Sequence, residues 1–287
     1  MNNKYRSIRL ASFLGIVGNL FLFVIKGGIG FTTGSQAMIA DFFNSFSDIF
    51  SSIMTFIGNK IASKPRDNDH NLGHGKAEYI YSMLISIVML ILAYNSFNGS
   101  LFSLINNNKF HFSIFLVFVS IITIFVKLFL YIFTRKLSLK YNNILIKANS
   151  IDHRNDAVIS FCTLISIILS LFNIYFFDGI VGLCISIWIF ISAVSIFKES
   201  YDVLMDKCID DETREKVYMI ILSHKDIKKF NHFNSTPVGY RYQISFSIFV
   251  DGNLSTFESH EIADKLEDEI IEKIPSIYLV VIHVNPV

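Results

Sequence analysis

Six apolar segments follow one another through the first 200 residues, and each is long enough to cross a bilayer core of about 30 Å. The chain of 287 residues is 52% hydrophobic and only 17% charged, whereas soluble domains contain about a quarter charged residues. This composition excludes a disordered chain, a disulfide-stapled secreted module and a basic nucleic-acid binder. We therefore predict an α-helical membrane protein with six transmembrane helices in residues 1–198, at 10–32, 36–60, 78–103, 112–134, 148–173 and 178–198.

Basic residues predict how these segments are oriented. They cluster before the first segment, between the second and third, and between the fourth and fifth, whereas the other connections carry almost none. By the positive-inside rule both termini should lie in the cytoplasm. A prokaryotic inner (plasma) membrane is expected, because the chain shows no eukaryotic sorting signal and no long histidine-rich loop.

Residues 199–287 change in charge and in pattern. Residues 1–198 hold 16 Lys+Arg and 8 Asp+Glu, whereas residues 199–287 hold 9 and 16, so the tail is acidic. Its periodicity predicts helices at 211–224 and 257–273, strands at 240–250 and 277–284, and a weaker strand near 227–234. The order α-β-β-α-β indicates a small ferredoxin-like, metallochaperone-like cytoplasmic domain that pairs with a second copy.

Four carboxylates lie within predicted transmembrane segments, beyond the first residue of the segment: Asp41, Asp48, Asp152 and Asp156. A carboxylate at the bilayer centre costs a few kcal/mol even on lenient scales, so these groups need a cation, a proton or a basic partner. Lys26 and Lys127 are the only lysines deep in these segments. The sequence gives no indication that they pair with the aspartates.

The spacing of the polar residues indicates a metal site. Asn44 and Asp48 are four residues apart, as are Asp152 and Asp156, so each pair shares one helix face. Two such faces turned toward each other would bring three carboxylates and one amide carbonyl to a common point. The alternative is that each pair only makes interhelical hydrogen bonds or snorkelling contacts.

Several motifs carry a family resemblance. GSQAMIADFFNSFSDIFSS in the second segment, GHGKAE before the third, KANSIDHRNDAVIS in the fifth, ESYDVLMD at the tail junction and VIHVNP in the last strand occur in this order. Together they resemble the cation diffusion facilitator family over nearly the whole chain. The resemblance implies a homodimeric exporter that exchanges a divalent metal for protons, with Asn44, Asp48, Asp152 and Asp156 as the transport site.

The first residue of each pair, Asn44 or Asp152, differs from the residue found in the family's zinc members. Those members usually have His or Asp at this position of the second segment and His at this position of the fifth. Amide and carboxylate oxygens are hard donors that suit manganese, whereas imidazole suits zinc. The set also resembles the manganese subgroup, so Mn²⁺ is expected as the transported substrate, with Zn²⁺ and Fe²⁺ as alternatives. Asp48, Asp152 and Asp156 are expected to carry the protons, whereas Asn44 is a neutral ligand.

Weaker sites follow from the same resemblance. Asp67, His70 and His74 match positions where some members hold a second metal, although exposed loop histidines are as often plain solvated residues. His260 and His283 stand at positions of a cytoplasmic metal site whose other expected ligands are missing here. This domain is therefore expected to serve dimerisation and stability rather than metal sensing.

Three further expectations concern supporting residues. Asp41 lies near the face of Asn44, where it is a candidate second-layer group, proton relay or interhelical hydrogen bonder. His153 is expected to line the pathway or support the ligands. Lys76 and Asp206 match a charge pair at the family's dimer junction.

The chain contains no GxSxG, Walker, HExxH or dinucleotide motif. We therefore expect a secondary active transporter rather than an enzyme, with no cofactor. Its expected partners are a divalent metal ion, protons, the lipid bilayer and a second copy of the chain. Alternatives of another class are a membrane-bound metal sensor or scaffold that does not transport, and a membrane enzyme with a catalytic metal.

Overall fold

The structure, a computed structural model, describes the backbone of residues 2–106, 108–141, 144–239 and 241–287. Side chains are described from residue 15 onward in these ranges, except those of residues 56, 59, 138, 141 and 144–149. The basic residues before the first segment, and Lys147, lie outside the described side chains.

Six long helices correspond one to one to the six predicted segments. They are α1 (Asn2–Thr33), α2 (Gln36–Ala62), α3 (Ala77–Ile105), α4 (Ile114–Tyr141), α5 (Ile144–Ser170) and α6 (Phe176–Leu204). Most extend several residues beyond the predicted ends. Hydropathy marks only the apolar stretch, whereas the backbone hydrogen bonding continues into the polar flanks.

Four of these helices are long and apolar enough to cross a membrane, within the part of the chain that the structure describes. They are the stretches Gly15–Thr33, Ala77–Ile105, Ile114–Leu137 and Phe176–Leu204, in α1, α3, α4 and α6. The remaining two, α2 and α5, contain the acidic and amide residues singled out in the sequence. That α2 and α5 also cross the membrane stays a prediction.

The turn between α1 and α2 shows why α2 begins where it does. Gly34 has a left-handed φ of 77°, which ends α1, and Gln36 begins α2. The carboxylate of Asp178, at the start of α6, accepts hydrogen bonds from Ser35 Oγ (2.6 Å), Gln36 N (2.6 Å) and Ala37 N (3.3 Å). It thus satisfies backbone donors that the first turn of a helix leaves free.

Close packing fixes how the polar faces of these helices meet. Helix α4 packs against both α5 and α1. A Cβ added to Gly27 of α1 would stand 2.7 Å from the ring of Phe42, so a larger residue there would separate α1 from α2. Such close approach brings side chains of α1, α2, α4 and α5 into one buried layer.

The tail has the predicted order α-β-β-α-β. Helix α7 (Asp211–Ser223) is followed by β1 (Lys229–Val238), β2 (Arg241–Val250), α8 (Thr256–Lys273) and β3 (Ile277–Pro286). The sheet order is β1-β2-β3, with β1 antiparallel and β3 parallel to β2. The weaker strand predicted near 227–234 is therefore present but lies slightly further along the chain.

A compact apolar core holds this small domain together. Ile221 of α7, Ile244 and Ile248 of β2, and Leu266 and Ile270 of α8 are fully buried in it. Two side chains cap the helices: Asp210 accepts from Thr213 N at the start of α7, and Ser255 forms a capping box with Glu258 at the start of α8. These caps explain why the helix boundaries lie close to the predicted ones.

The chain divides into two compact units. One comprises residues 1–54 and 84–196, and the other Thr55–Met83 together with Phe197–Val287. The second unit thus includes the loop between α2 and α3 as well as the tail. The transport-site candidates lie in the first unit, whereas the loop and tail candidates lie in the second.

Candidate metal centre

The polar faces of α2 and α5 meet at Asn44 and Asp156. Asn44 Nδ2 donates a hydrogen bond to Asp156 Oδ1 over 2.9 Å, and both residues are buried. Two residues that are 112 positions apart in sequence are therefore in direct contact. Because the amide donates through its nitrogen, Asn44 Oδ1 is available as an oxygen ligand.

Lys127 of α4 is the second partner of Asp156, which corrects the expectation drawn from the sequence. Its ammonium group lies 2.5 Å from Asp156 Oδ2 and 2.7 Å from Asn19 Oδ1 of α1. The side chain of Lys127 is only 1% exposed. A buried lysine of this kind needs a buried acceptor, and the helix packing supplies one that spacing along the sequence could not reveal.

Lys26 forms a second buried ion pair that the sequence did not indicate. Its Nζ lies 2.8 Å from Asp41 Oδ1 and 3.1 Å from Ser45 Oγ. Ser160 Oγ of α5 donates to Asp41 Oδ2 over 2.9 Å. Hydrogen bonds of Asp41 therefore join α1, α2 and α5, and its supporting or proton-relay role stays a prediction.

Asp48 and Asp152 are less enclosed than Asp156. The side chain of Asp48 is partly buried and that of Asp152 is exposed. Asp48 lies near enough to Asp156, Asp152 and Lys127 to interact with them electrostatically. The four candidate ligands thus share one region, although a direct hydrogen bond joins only Asn44 and Asp156 among the interactions described for them.

His153 lies beside this region in a buried position. It is 8% exposed, and its Nδ1 has no hydrogen-bond partner in the part of the chain that the structure describes. Its Nε2 faces α1, where a Cβ added to Gly15 would lie 3.7 Å away. The proposed supporting role of His153 stays a prediction.

The loop between α2 and α3 brings Asp67, His70 and His74 together. His70 Nδ1 lies 3.2 Å from Asp67 Oδ1, and His74 Nε2 lies 3.3 Å from Asp67 Oδ2. One ligand atom from each residue lies within 4.8 Å of the others, and no other such group of three or more metal-binding side chains occurs among the described residues. The backbone N–H of His70 is the main cause that holds the pKa of Asp67 below its ordinary value.

The two tail histidines have different surroundings. His260 Nδ1 lies 3.3 Å from Asp264 Oδ1 on the exposed face of α8, and His283 stands opposite Ser247 where β3 pairs with β2. Neither belongs to a cluster of three or more metal-binding side chains in the described part of the chain. The weak cytoplasmic site stays a prediction.

Lys76 and Asp206 form the charge pair expected from their positions. Lys76 Nζ lies 2.6 Å from Asp206 Oδ1, with 35% and 54% of the two side chains exposed. Asp206 has a left-handed φ of 56° at the end of α6. The contact lies within one chain, and its role at a dimer junction stays a prediction.

Comparisons with known proteins cover nearly the whole chain. The family model of the cation efflux transmembrane domain matches residues 12–205, and that of the cation efflux protein cytoplasmic domain matches residues 209–287. The chain is 27% identical to the manganese efflux system protein MneP of Bacillus subtilis, over 97% of this chain and 96% of that protein.

Two further relatives show the same extent of similarity. An uncharacterized transporter of Methanocaldococcus jannaschii is 29% identical over 96% of this chain and 98% of its own length. The cation-efflux pump FieF of Shewanella oneidensis is 27% identical over 90% and 87% of the two chains.

Proposed function

Since the chain belongs to the cation efflux family, we propose that it exports a divalent metal ion from the cytoplasm in exchange for protons. The substrate we propose is Mn²⁺. Asn44, Asp48, Asp152 and Asp156 are the proposed ligands. Zn²⁺ or Fe²⁺ export by the same mechanism is the alternative.

The observation that carries this proposal is the contact of Asn44 with Asp156 between two different helices. An amide and a carboxylate in direct contact, both buried, form the start of an oxygen-rich cation site. Asp48 and Asp152 each lie one helical turn from one of these two residues, on the same helix face. A site with all four ligands would need Asp48 of α2 and Asp152 of α5 to turn toward this pair.

The oxygen donors support manganese. Mn²⁺ stands lowest in the Irving–Williams order, so a site with nitrogen donors would favour zinc over it. Asn44 and Asp152 occupy the two positions at which an imidazole ligand would make the site more selective for zinc. The relative named as a manganese efflux system protein supports the same substrate.

Proton exchange follows from the chemistry of carboxylate ligands. Carboxylates bind a metal only when ionised, so protons and metal compete for the same oxygens. Metal would bind from the cytoplasm and be displaced by protons on the outer side. The protonated ligands would then return at a lower cost of burying charge in the membrane.

The proposed arrangement is a multi-pass protein of the cell membrane with both termini in the cytoplasm. Residues 1–198 would form the six-helix transport domain and residues 199–287 the dimerisation domain. The match of the cytoplasmic-domain model to residues 209–287 supports the second assignment. Exposed apolar side chains on α3, α4 and α6 are consistent with lipid contact.

Metal flux in proteoliposomes tests the function. We expect wild-type protein to accumulate Mn²⁺ in preference to Zn²⁺ when a proton gradient drives exchange. The double variant Asn44→His, Asp152→His should gain Zn²⁺ transport, because it places imidazole at the two positions where this chain differs from the zinc members of the family. A wild type that prefers Zn²⁺ would show that the inference from ligand hardness is wrong while leaving metal export intact.

The same assay separates transport from sensing. A membrane-bound sensor or scaffold would bind metal without accumulating it in the vesicle. Binding of Mn²⁺ with no flux under any gradient would therefore overturn the exporter proposal in favour of a sensor. A catalytic metal site would require an additional convergent base or nucleophile beside the four oxygens.

A further inference from the structure

Lys127 donates a hydrogen bond to Asp156, which is one of the four proposed metal ligands. Asp156 uses Oδ1 to accept from Asn44 and Oδ2 to accept from Lys127. A divalent ion bound to Asp156 would stand next to the ammonium group, and two cations on one buried carboxylate repel each other strongly where screening by water is weak. The metal and Lys127 therefore compete for Asp156.

The structure also provides a second acceptor for Lys127. Asn19 Oδ1 of α1 already accepts from the same ammonium group over 2.7 Å. Asn19 is neutral, so it can keep one hydrogen bond to the buried ammonium without attracting it as strongly as a carboxylate does. The flexible four-carbon stem of a lysine allows a small displacement toward α1.

We propose that Lys127 is a built-in competitor of the transported metal: its ammonium group neutralises Asp156 while no metal is bound and shifts onto Asn19 when metal binds. This inference rests on the proposed function, because it takes Asp156 as a metal ligand. It assigns Lys127 a positioning role in metal release and in the return of the unloaded carrier, and it assigns Asn19 the role of alternate acceptor.

Charge favours this arrangement in both halves of the cycle. In the unloaded carrier, Asp48 and Asp152 return protonated, and Lys127 neutralises Asp156 in place of a proton. With a divalent ion bound and all three carboxylates ionised, the ion and Lys127 together balance the three negative charges. A site without Lys127 would hold the metal more tightly and release it more slowly.

Equilibrium Mn²⁺ binding to the full-length protein in nanodiscs tests the proposal. The background carries His70→Ala and His74→Ala, so that the loop cluster does not contribute. Lys127→Met should bind Mn²⁺ at least about tenfold more tightly than this background, which corresponds to about 1.4 kcal/mol. Lys127→Gln, which keeps a donor but removes the charge, should shift the affinity in the same direction.

Asn19→Leu provides the opposite prediction. Without its second acceptor the ammonium group should stay on Asp156, so Mn²⁺ binding should weaken. The matched control is Lys26→Met, which removes an equally buried lysine whose hydrogen bonds go to Asp41 and Ser45. We expect that control to change the Mn²⁺ affinity of the background less than Lys127→Met does, because Lys26 donates to Asp41 and Ser45 and to none of the four proposed ligands.

Transport supplies a second readout that a purely structural role would not produce. In proteoliposomes, Lys127→Met should lose net Mn²⁺ export to a much greater degree than Mn²⁺–Mn²⁺ exchange. Both activities require metal release, but only net export also requires the unloaded carrier to return. Equal loss of both activities would contradict the proposal.

The outcomes distinguish this inference from the function on which it rests. If the background protein binds no Mn²⁺, the proposed function is overturned and this inference falls with it. If the background binds Mn²⁺ but Lys127→Met and Lys127→Gln bind it equally or less tightly, the competition is overturned alone. Tighter binding by Asn19→Leu would overturn the role given to Asn19.

Discussion

Asn44 and Asp156 are joined by a hydrogen bond of 2.9 Å between α2 and α5. Each residue is the member of its spaced pair that faces the interior, and both are buried. The bond fixes which faces of the two helices meet. A change at either residue should therefore act on the opposite helix as well as on its own.

Replacing Asp156 is expected to abolish metal transport. Asp156→Ala removes a proposed ligand and leaves Lys127 without its carboxylate, so flux in proteoliposomes should fall by more than about tenfold, the lower end of what even supporting groups of a metal site contribute. The variant should still elute as a dimer in size-exclusion chromatography. Asp69→Ala, at an exposed acidic residue, is the control, and wild-type flux in Asp156→Ala would show that α5 does not supply a ligand.

The loop cluster is expected to bind a divalent metal independently of the membrane site. Asp67 remains ionised because the N–H of His70 keeps its pKa below the ordinary value of 3.8. Binding should weaken as the pH falls, because a histidine ligates only when its ring is neutral. Co²⁺ absorbance in an Asp156→Ala background measures this site, and His70→Ala should remove the signal. A signal that survives His70→Ala would place the metal elsewhere.

The pair of Lys76 and Asp206 should contribute little stability within one chain. Both side chains are more than a third exposed, and exposed ion pairs contribute about 0–1 kcal/mol. A double-mutant cycle should use Lys76→Met and Asp206→Asn, because asparagine tolerates the left-handed backbone at Asp206. A coupling of several kcal/mol would instead indicate that a second copy of the chain buries the pair.

The capping box of α8 should stop contributing to the stability of the fold at acid pH. The hydroxyl and then the backbone N–H of Ser255 hold the pKa of Glu258 below its ordinary value of 4.5. A lowered folded-state pKa stabilises the fold above the unfolded value, and this stabilisation is lost as the pH falls through the folded value. In thermal unfolding, Glu258→Gln should therefore melt at a lower temperature than wild type at pH 7. Well below pH 4.5 the two proteins should melt at the same temperature. A difference that persists in acid would contradict this account.

Local patterns predicted the secondary structure well. Hydropathy identified six helices, and alternating residues identified the strands of the tail. The weaker strand was shifted because β1 carries a bulge between Asn231 and Asn234, and such an irregularity breaks the two-residue alternation on which strand prediction depends.

The partners of the buried lysines could not be predicted in this way. Lys26 and Lys127 were recognised as unusual in apolar segments, but their pairing with Asp41 and Asp156 was missed. Periodicity gives the face of a helix on which a residue lies. It does not give the rotation of that face toward the other helices, which side-chain packing decides.

The amino-acid sequence by itself determined the number and order of the helices and strands, the family, and the candidate ligands, because each of these depends on residues close together in the chain. The tertiary structure alone decided that Asn44 contacts Asp156, that Lys127 shares that carboxylate, and that Asp67, His70 and His74 lie together. These contacts depend on how elements distant in sequence pack and how the loop folds. The packing of the helices therefore decides which partner each buried charge has.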